Sequence, residues 1–259
     1  MHPFHDALVS FAERRVIIMS VHDITNFKKG LEEFNITLSD KQFEQFIKYY
    51  DLLVEWNSFM NLTAITDWDE VIVKHFLDSL SIVNSLNMTD MSYYVLDLGT
   101  GAGFPGIPLK IAFPNLNIVL MDSLNKRVNF LNTVINELGL ENIKAVHGRA
   151  EDMARKDEYR ECFNLVVSRA VANMTILSEY CLPFVKIGGS FISYKSEKVH
   201  DEYKEAVKAI DILGGGDIDS YELTLPLSDI YRNLFVINKL KSTPKKYPRK
   251  AGVPSKEPI

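Results

Sequence analysis

Polar and apolar positions along the chain follow two rhythms. Between residues 39 and 86 the spacing is helical. Ser39-Asp40-Lys41-Gln42 has the S-x-x-Q form of a capping box, in which serine and glutamine side chains each bond the other's backbone N–H. Phe43, Phe46, Ile47, Tyr50, Leu53 and Val54 then follow at steps of three, one, three, three and one, the stripe of one helix face that must pack against something. A second helix is predicted from about Asp69 to Leu86, with His75, Asp78 and Ser79 within one turn of each other. From Tyr93 the rhythm changes: YYVLDLG, LNIVLMD, NIKAVHG, FNLVVSR and GSFISYK each read as a buried strand ending in a polar or glycine-containing turn. Helical patterns at about 107–113, 125–138, 172–181 and 197–213 alternate with them.

Strands alternating with helices imply crossover units and a parallel sheet covered on both faces. Ligands of such sheets sit outside the carboxyl ends of the strands, so the residues just after each strand are where chemistry is expected. After Gly214-Gly215-Gly216 the segments IDSYELTL and NLFVINKL lie too close for a crossover helix and are predicted to pair antiparallel. The predicted class is α/β, a Rossmann-like sheet with an antiparallel C-terminal hairpin and an N-terminal helical extension. Residues 1–22 form an extension without clear period, 23–90 a helical region, 91–240 the main domain and 241–259 a basic tail.

Composition narrows this picture. The chain is 46% hydrophobic over 259 residues, enough for a full core. No stretch approaches the roughly 18 consecutive apolar residues of a membrane span, and the N-terminus lacks the basic-then-apolar order of a signal peptide. A cytoplasmic protein without membrane partners is expected. Cys162 and Cys181 have neither C-x-x-C spacing nor nearby histidines, so neither a metal site nor a disulfide framework is expected. Net charge is -5, but from Lys239 to Ile259 seven basic residues face one acid, which leaves 22 basic and 33 acidic residues for the rest. An acidic body with a strongly basic end points to an anionic partner.

The stretch DLGTGAGFPG, residues 97–106, fits two templates. Its last six residues match the G-x-G-x-x-G turn of dinucleotide-binding domains. Asp97, Gly99, Gly101 and Gly103 match the D-x-G-x-G-x-G loop that class I methyltransferases place around S-adenosylmethionine. Glycines here let the backbone approach a ligand without Cβ obstruction, and the following helix points free N–H groups at it. The loop alone does not choose between cofactors. Asp122, 21 residues beyond Gly101, ends the second strand, where a carboxylate can accept both hydroxyls of a ribose of either cofactor. Ala150-Glu151 follows the third strand, where a methyltransferase sets a backbone N–H and an acid against the adenine edge. Glu151 as a plain helix N-terminal carboxylate is the alternative.

The fourth strand ends Val166-Val167-Ser168-Arg169-Ala170, without the Asn/Asp-Pro-Pro-aromatic motif of exocyclic-amine methylation. Neither cysteine is placed to act as the nucleophile of pyrimidine C5 chemistry. What remains suits an atom with an available lone pair, such as guanine N7. That reaction needs alignment and accommodation of moving charge.

At this point the residues resemble a known family, the glucose-inhibited division protein B or ribosomal RNA small subunit methyltransferase G enzymes. The matching segments, in order, are VEWNSFMNLTAITDWDEVIVKHFLDSL, VLDLGTGAGFPGIPLKIAFP, MDSLNKRVNFL, GRAED, SRAVANMTILSEYCLPFVKIGG and TPKKYPRKAGVPSKEP. The resemblance implies a class I S-adenosylmethionine-dependent methyltransferase fold and methylation of a guanine N7 in 16S ribosomal RNA, in the small subunit or its precursor, with no DNA partner. It implies cofactor contacts at Gly99, Phe104, Asp122, Ala150, Glu151 and Arg169. A surface ion pair is the alternative for Arg169. Lys74 stands where the family often has Arg, which removes a planar fork. Candidate RNA contacts are His75, Lys195, Lys245, Lys246, Arg249 and Lys250. The tail KSTPKKYPRKAGVPSKEP is expected to be extended by its four prolines, with Tyr247 offered for stacking and its cations for phosphates. Its removal is expected to leave the cofactor site intact. The competing readings are an NAD-dependent oxidoreductase and a non-enzymatic adenosyl-sensing RNA regulator.

Overall fold

The computed structural model describes residues 22–88, 92–169, 172–196 and 200–259. Most of the expected extension at 1–22, residue 170 of the fourth strand's exit and the start of the helix expected at 197 fall outside them. Seven strands form one sheet: β1 (Tyr94–Leu98), β2 (Asn117–Asp122), β3 (Ile143–His147), β4 (Phe163–Ser168), β5 (Val185–Lys195), β6 (Gly215–Thr224) and β7 (Tyr231–Lys239), in the order β3-β2-β1-β4-β5-β7-β6. The first five are parallel, and β7 runs antiparallel to both β5 and β6. The strand order reverses between β1 and β4, the place where an open α/β sheet leaves a crevice.

Side chains alternate across the sheet, and both faces are covered. Val95, Ile118, Leu120, Leu165, Val167, Leu234 and Val236 belong to one buried cluster, together with Phe27, Phe46, Tyr49, Phe76 and Leu77 of the N-terminal helices. Leu96, Leu98, Val119, Met121, Val166, Phe235 and Ile237 belong to the other, with Leu177, Cys181, Ala206, Ala209 and Leu213. Residues 23–88 therefore share a core with the sheet.

The N-terminal helices are α1 (Thr25–Glu33), which the periodicity did not reveal, and α2 (Asp40–Met60). Ser39 and Gln42 close the expected capping box. The helix expected from Asp69 is composite: α3 (Trp68–Val71) passes into a π-helical stretch, Ile72–Leu77, then α4 (Asp78–Leu80) and a 3₁₀ turn, Ser81–Asn84. Along the sheet lie α5 (Gly106–Ala112), α6 (Asn125–Glu137), α7 (Ala150–Met153), α8 (Met174–Cys181) and α9 (His200–Ile212), and α10 (Val253–Lys256) follows the last strand. No described helix is long and apolar enough to cross a membrane.

The tail departs from expectation. Instead of running extended it is held to the domain at several points. Lys239, fully buried at the end of β7, donates to the Leu182 and Leu213 carbonyls and to Thr243. Arg160 donates to the carbonyls of Thr243 at 2.7 Å and Tyr247 at 3.0 Å, and Arg155 to that of Pro248. Tyr247 is buried in the second cluster, so its ring is not a surface for stacking bases. Prolines did not hold this segment extended because arginine donors capture its carbonyls.

Candidate functional site

The glycine loop between β1 and α5 turns through three positive φ values, Gly99 at 71°, Gly101 at 61° and Gly103 at 103°, a region that side chains other than Asn and Asp rarely adopt. Its frame is built from both sides. From the sheet, the Met121 carbonyl accepts the N–H groups of Gly99 (2.9 Å) and Thr100 (3.2 Å), and Asp122 Oδ2 accepts that of Gly101 (3.0 Å). From α2, the buried Tyr49 phenol donates to the Ala102 carbonyl at 2.6 Å. A Cβ on Gly103 would lie 2.8 Å from that phenol oxygen, so glycine admits the tyrosine.

Asp97 lies beneath the loop. Its Oδ2 accepts from the Thr100 hydroxyl (2.6 Å) and the Gly106 N–H (2.7 Å), tying β1 to the start of α5. Oδ1 is buried without a partner. Burial pushes the carboxyl up from 3.8 to about 7, against the downward pull of the Thr100 and Gly106 hydrogen bonds and of the Arg169 charge.

Above the loop, a cavity of about 360 Å³ opens at the carboxyl ends of β1, β2 and β4, within the usual size of small-molecule sites. Gly99, Asp122, Ala150 and Glu151 line it, with Leu177, Tyr180 and Gly252 opposite in the chain order. Asp97, Gly101, Phe104 and Arg169 are not on its wall. Asp122 is buried. Its Oδ1 accepts the Leu124 N–H at 2.9 Å and its Oδ2 the Gly101 N–H, while Arg127 approaches at 3.4 Å. Two carboxylate oxygens carry about four acceptor sites, so room remains for ribose hydroxyls. Glu151 Oε1 accepts the Gly252 N–H at 3.0 Å. Main-chain glycine, two carboxylates and apolar walls of Leu98, Met121 and Leu177 form a donor set that fits an adenosyl ligand.

A second group of residues lies beside the loop. The His75 ring stacks on Phe104 with centroids 4.4 Å apart, and the Arg169 guanidinium stands 5.0 Å from the same ring centre. Arg169 donates to the Lys74 carbonyl (3.1 Å) and to Asp78 Oδ2 (3.0 Å). Asp78, only 1% exposed, also takes Arg232 Nε on Oδ1 at 2.6 Å. The cluster thus holds two guanidinium charges around one buried carboxylate. Arg169 is neither a loose surface pair nor free in the cleft. His75 Nε2 is 2.9 Å from Thr63 Oγ1. Burial, then the Arg169 charge, drives its pKa from 6.5 to about 3, so the ring is neutral.

Three expected RNA contacts are placed differently. His75 is buried against Phe104. Lys195 is buried and donates to the Ala172 carbonyl at 2.6 Å. Arg249 is committed to the buried Glu179, with Nη2 to Oε2 at 2.7 Å and Nε to Oε1 at 3.0 Å. Each sits where an opposite charge, a carbonyl or an aromatic ring outcompetes solvent. Lys245, Lys246 and Lys250 are exposed. The tail was also expected to lie clear of the site beyond the strands, whereas Gly252 lies on the wall of the cavity.

Sequence reading missed Tyr49, Tyr180, Arg232 and Gly252. Tyr49 is one position off the expected stripe, and the buried phenol announces itself only through the loop it meets. Burial first, then the Glu151 charge, raises the Tyr180 phenol above its ordinary value while Ser255 lowers it, so α7, α8 and α10 meet at this ring. The other two act across the chain, Arg232 on Asp78 and Gly252 on Glu151.

Comparison with known proteins agrees with this geometry. The family model described as rRNA small subunit methyltransferase G matches residues 42–223. Proteins named ribosomal RNA small subunit methyltransferase G from Lachnoclostridium phytofermentans and Alkaliphilus metalliredigens are 57% and 52% identical to this chain. The matches cover 92% and 90% of it and 98% and 97% of their own lengths. Among solved structures, an S-adenosylmethionine-dependent methyltransferase from Aquifex aeolicus shares the fold, with a TM-score of 0.50 and 15% identity over 68% of this chain and 96% of its own. From the glycine loop framed by Tyr49 and Asp122 to identity over about nine-tenths of the chain, these observations converge: the chain belongs to the rRNA small subunit methyltransferase G family.

Proposed function

We propose that the protein uses S-adenosylmethionine to methylate N7 of one guanine in 16S ribosomal RNA of the small subunit or its precursor, in the cytoplasm. The observation that carries this reading is the cavity at the switch point, lined by Gly99, Asp122, Ala150 and Glu151. Asp122 would hold the ribose, and Ala150 with Glu151 the adenine edge. When bound, the cofactor supplies a methyl group carried on positively charged sulfur.

The residues around the cleft favour a target that keeps its own lone pair. His75 is neutral, and a conjugate acid with a pKa of about 3 belongs to a weak base. Cys181 is fully buried with its thiol pushed well up, and Cys162 directs its thiol to the Asp157 and Arg160 carbonyls. Neither is placed as a nucleophile. Guanine N7 needs no deprotonation and no covalent intermediate, so alignment and charge suffice. The Arg169, Asp78 and Arg232 cluster supplies a fixed cationic edge beside Phe104. Lys245, Lys246 and Lys250, exposed on the bound-down tail, are the phosphate contacts we assign.

The test is methyl transfer from S-adenosylmethionine to small-subunit RNA, with the product mapped at nucleotide resolution. N7-methylguanine at one site is expected, and RNA with 7-deazaguanine at that site should be inert. Full-rate methylation of the deaza substrate would reject the N7 assignment. Labelling of protein-free and subunit-bound RNA in parallel identifies the preferred form of the substrate.

A further inference from the structure

The geometry points to residues 243–253 as a built wall of the cofactor site, held in place by an Arg249–Glu179 clamp that acts as a positioning device for Glu151. This inference rests on the cofactor reading of the cavity and adds to it a dependence on the far end of the chain.

Three observations carry it. Gly252 lines the same cavity as Gly99, Asp122, Ala150 and Glu151, although it lies 101 residues from Glu151. Its N–H is the donor to Glu151 Oε1, so one oxygen of the carboxylate assigned to the adenine edge is fixed by the tail. Tyr180 adjoins that carboxylate, and Ser255 of the tail meets the Tyr180 phenol.

Next, the wall has an anchor of unusual quality for a chain end. Glu179 is 1% exposed and accepts three groups from one residue: Arg249 N at 2.8 Å, Nε at 3.0 Å and Nη2 at 2.7 Å. A two-pronged guanidinium contact fixes orientation as well as distance. Exposed pairs are weak, but removing one partner of a buried pair leaves an uncompensated charge. Arg249 therefore sets where Gly252 lies, three residues later.

Finally, the segment bends to meet the site. Gly252 has φ +80°, and a Cβ built there meets no atom within 4 Å. The glycine is needed for backbone conformation rather than for packing. Arg249 and Glu179 touch no ligand in this account; they act through Gly252 and Glu151.

Binding of S-adenosylhomocysteine measured by calorimetry tests the inference on three proteins: the full chain, Arg249→Ala, and a chain ending at Pro248. The last retains Thr243 on Lys239 and the buried Tyr247. Both variants are expected to bind at least tenfold more weakly, while Arg249→Lys recovers part of the loss. Digestion of the full chain with a lysine-specific protease gives a second readout: ligand should slow cleavage after Lys250 in step with occupancy. A shortened chain that melts normally and binds within twofold of the full chain overturns the inference, as does cleavage after Lys250 that ligand leaves unchanged. Absence of binding by the full chain would instead overturn the cofactor reading beneath it.

Discussion

At the scale of single residues, Asp97 ties acidity to stability. Its folded carboxyl titrates near 7 and its unfolded value is 3.8, so between those values the folded chain binds more protons than the unfolded one. The stability it contributes is present in full below about pH 4 and lost as pH rises through 7. Asp97→Asn keeps an acceptor for Thr100 and Gly106 without a charge to bury. Relative to the parent, its unfolding free energy in urea should improve from pH 4 to pH 8 by up to ~4 kcal/mol; parallel curves would show that Asp97 ionises normally. His75 has the opposite sign. Its pKa falls from 6.5 to about 3, so the stability it contributes is present above 6.5 and lost on acidification. Its imidazole resonances should not titrate between pH 5 and 8, and a midpoint near 6.5 would contradict its burial against Phe104. At Gly101 the obstacle is conformational, with φ 61° and open space where a Cβ would sit. Gly101→Val should lose S-adenosylhomocysteine binding at least tenfold while the far-ultraviolet spectrum is kept, and Gly101→Asn, which tolerates this φ better, should lose less.

At the scale of elements, the loop is held by a helix from another part of the chain. Tyr49 reaches from α2 to the Ala102 carbonyl, 53 residues away, in a buried site. Tyr49→Phe removes the donor and leaves that carbonyl unsatisfied. A loss of about 1–3 kcal/mol in urea unfolding is expected, together with weaker cofactor binding; unchanged values for both would detach α2 from the loop. This contact marks the boundary of what sequence pattern reveals. The strands were legible because parallel strands buried on both faces read as apolar runs, and Val95 and Leu96 serve opposite clusters through that alternation. Asp122, Ala150 and Glu151 were legible as cavity residues because they end a strand or come shortly after one. The helix from 68 to 80 was legible as a helix, but its π-helical turn at Ile72–Leu77 was not, since a shifted hydrogen-bond ladder leaves little mark on composition. Glu179 was invisible as a partner because its cation lies 70 residues later.

At the scale of the whole molecule, charge is segregated: the segment 239–259 carries seven of the 29 basic residues on an otherwise acidic chain. Folding divides those cations by task. Lys239 and Arg249 hold the tail down, and Lys245, Lys246 and Lys250 remain exposed. Replacing these three with Ala should weaken RNA binding and lower the slope of log K against log salt by roughly 0.7–0.9 for each phosphate contact removed. An unaltered slope would exclude the tail from the RNA surface. The position of Gly252 has a further consequence during synthesis. Translation makes all seven strands before residue 252, so a sheet can form from chain that still lacks one wall of its cavity. Stalled chains that expose residues up to about 240 should resist proteolysis as a folded domain yet bind the cofactor poorly. Competence to bind would then arrive last, after the sheet is complete.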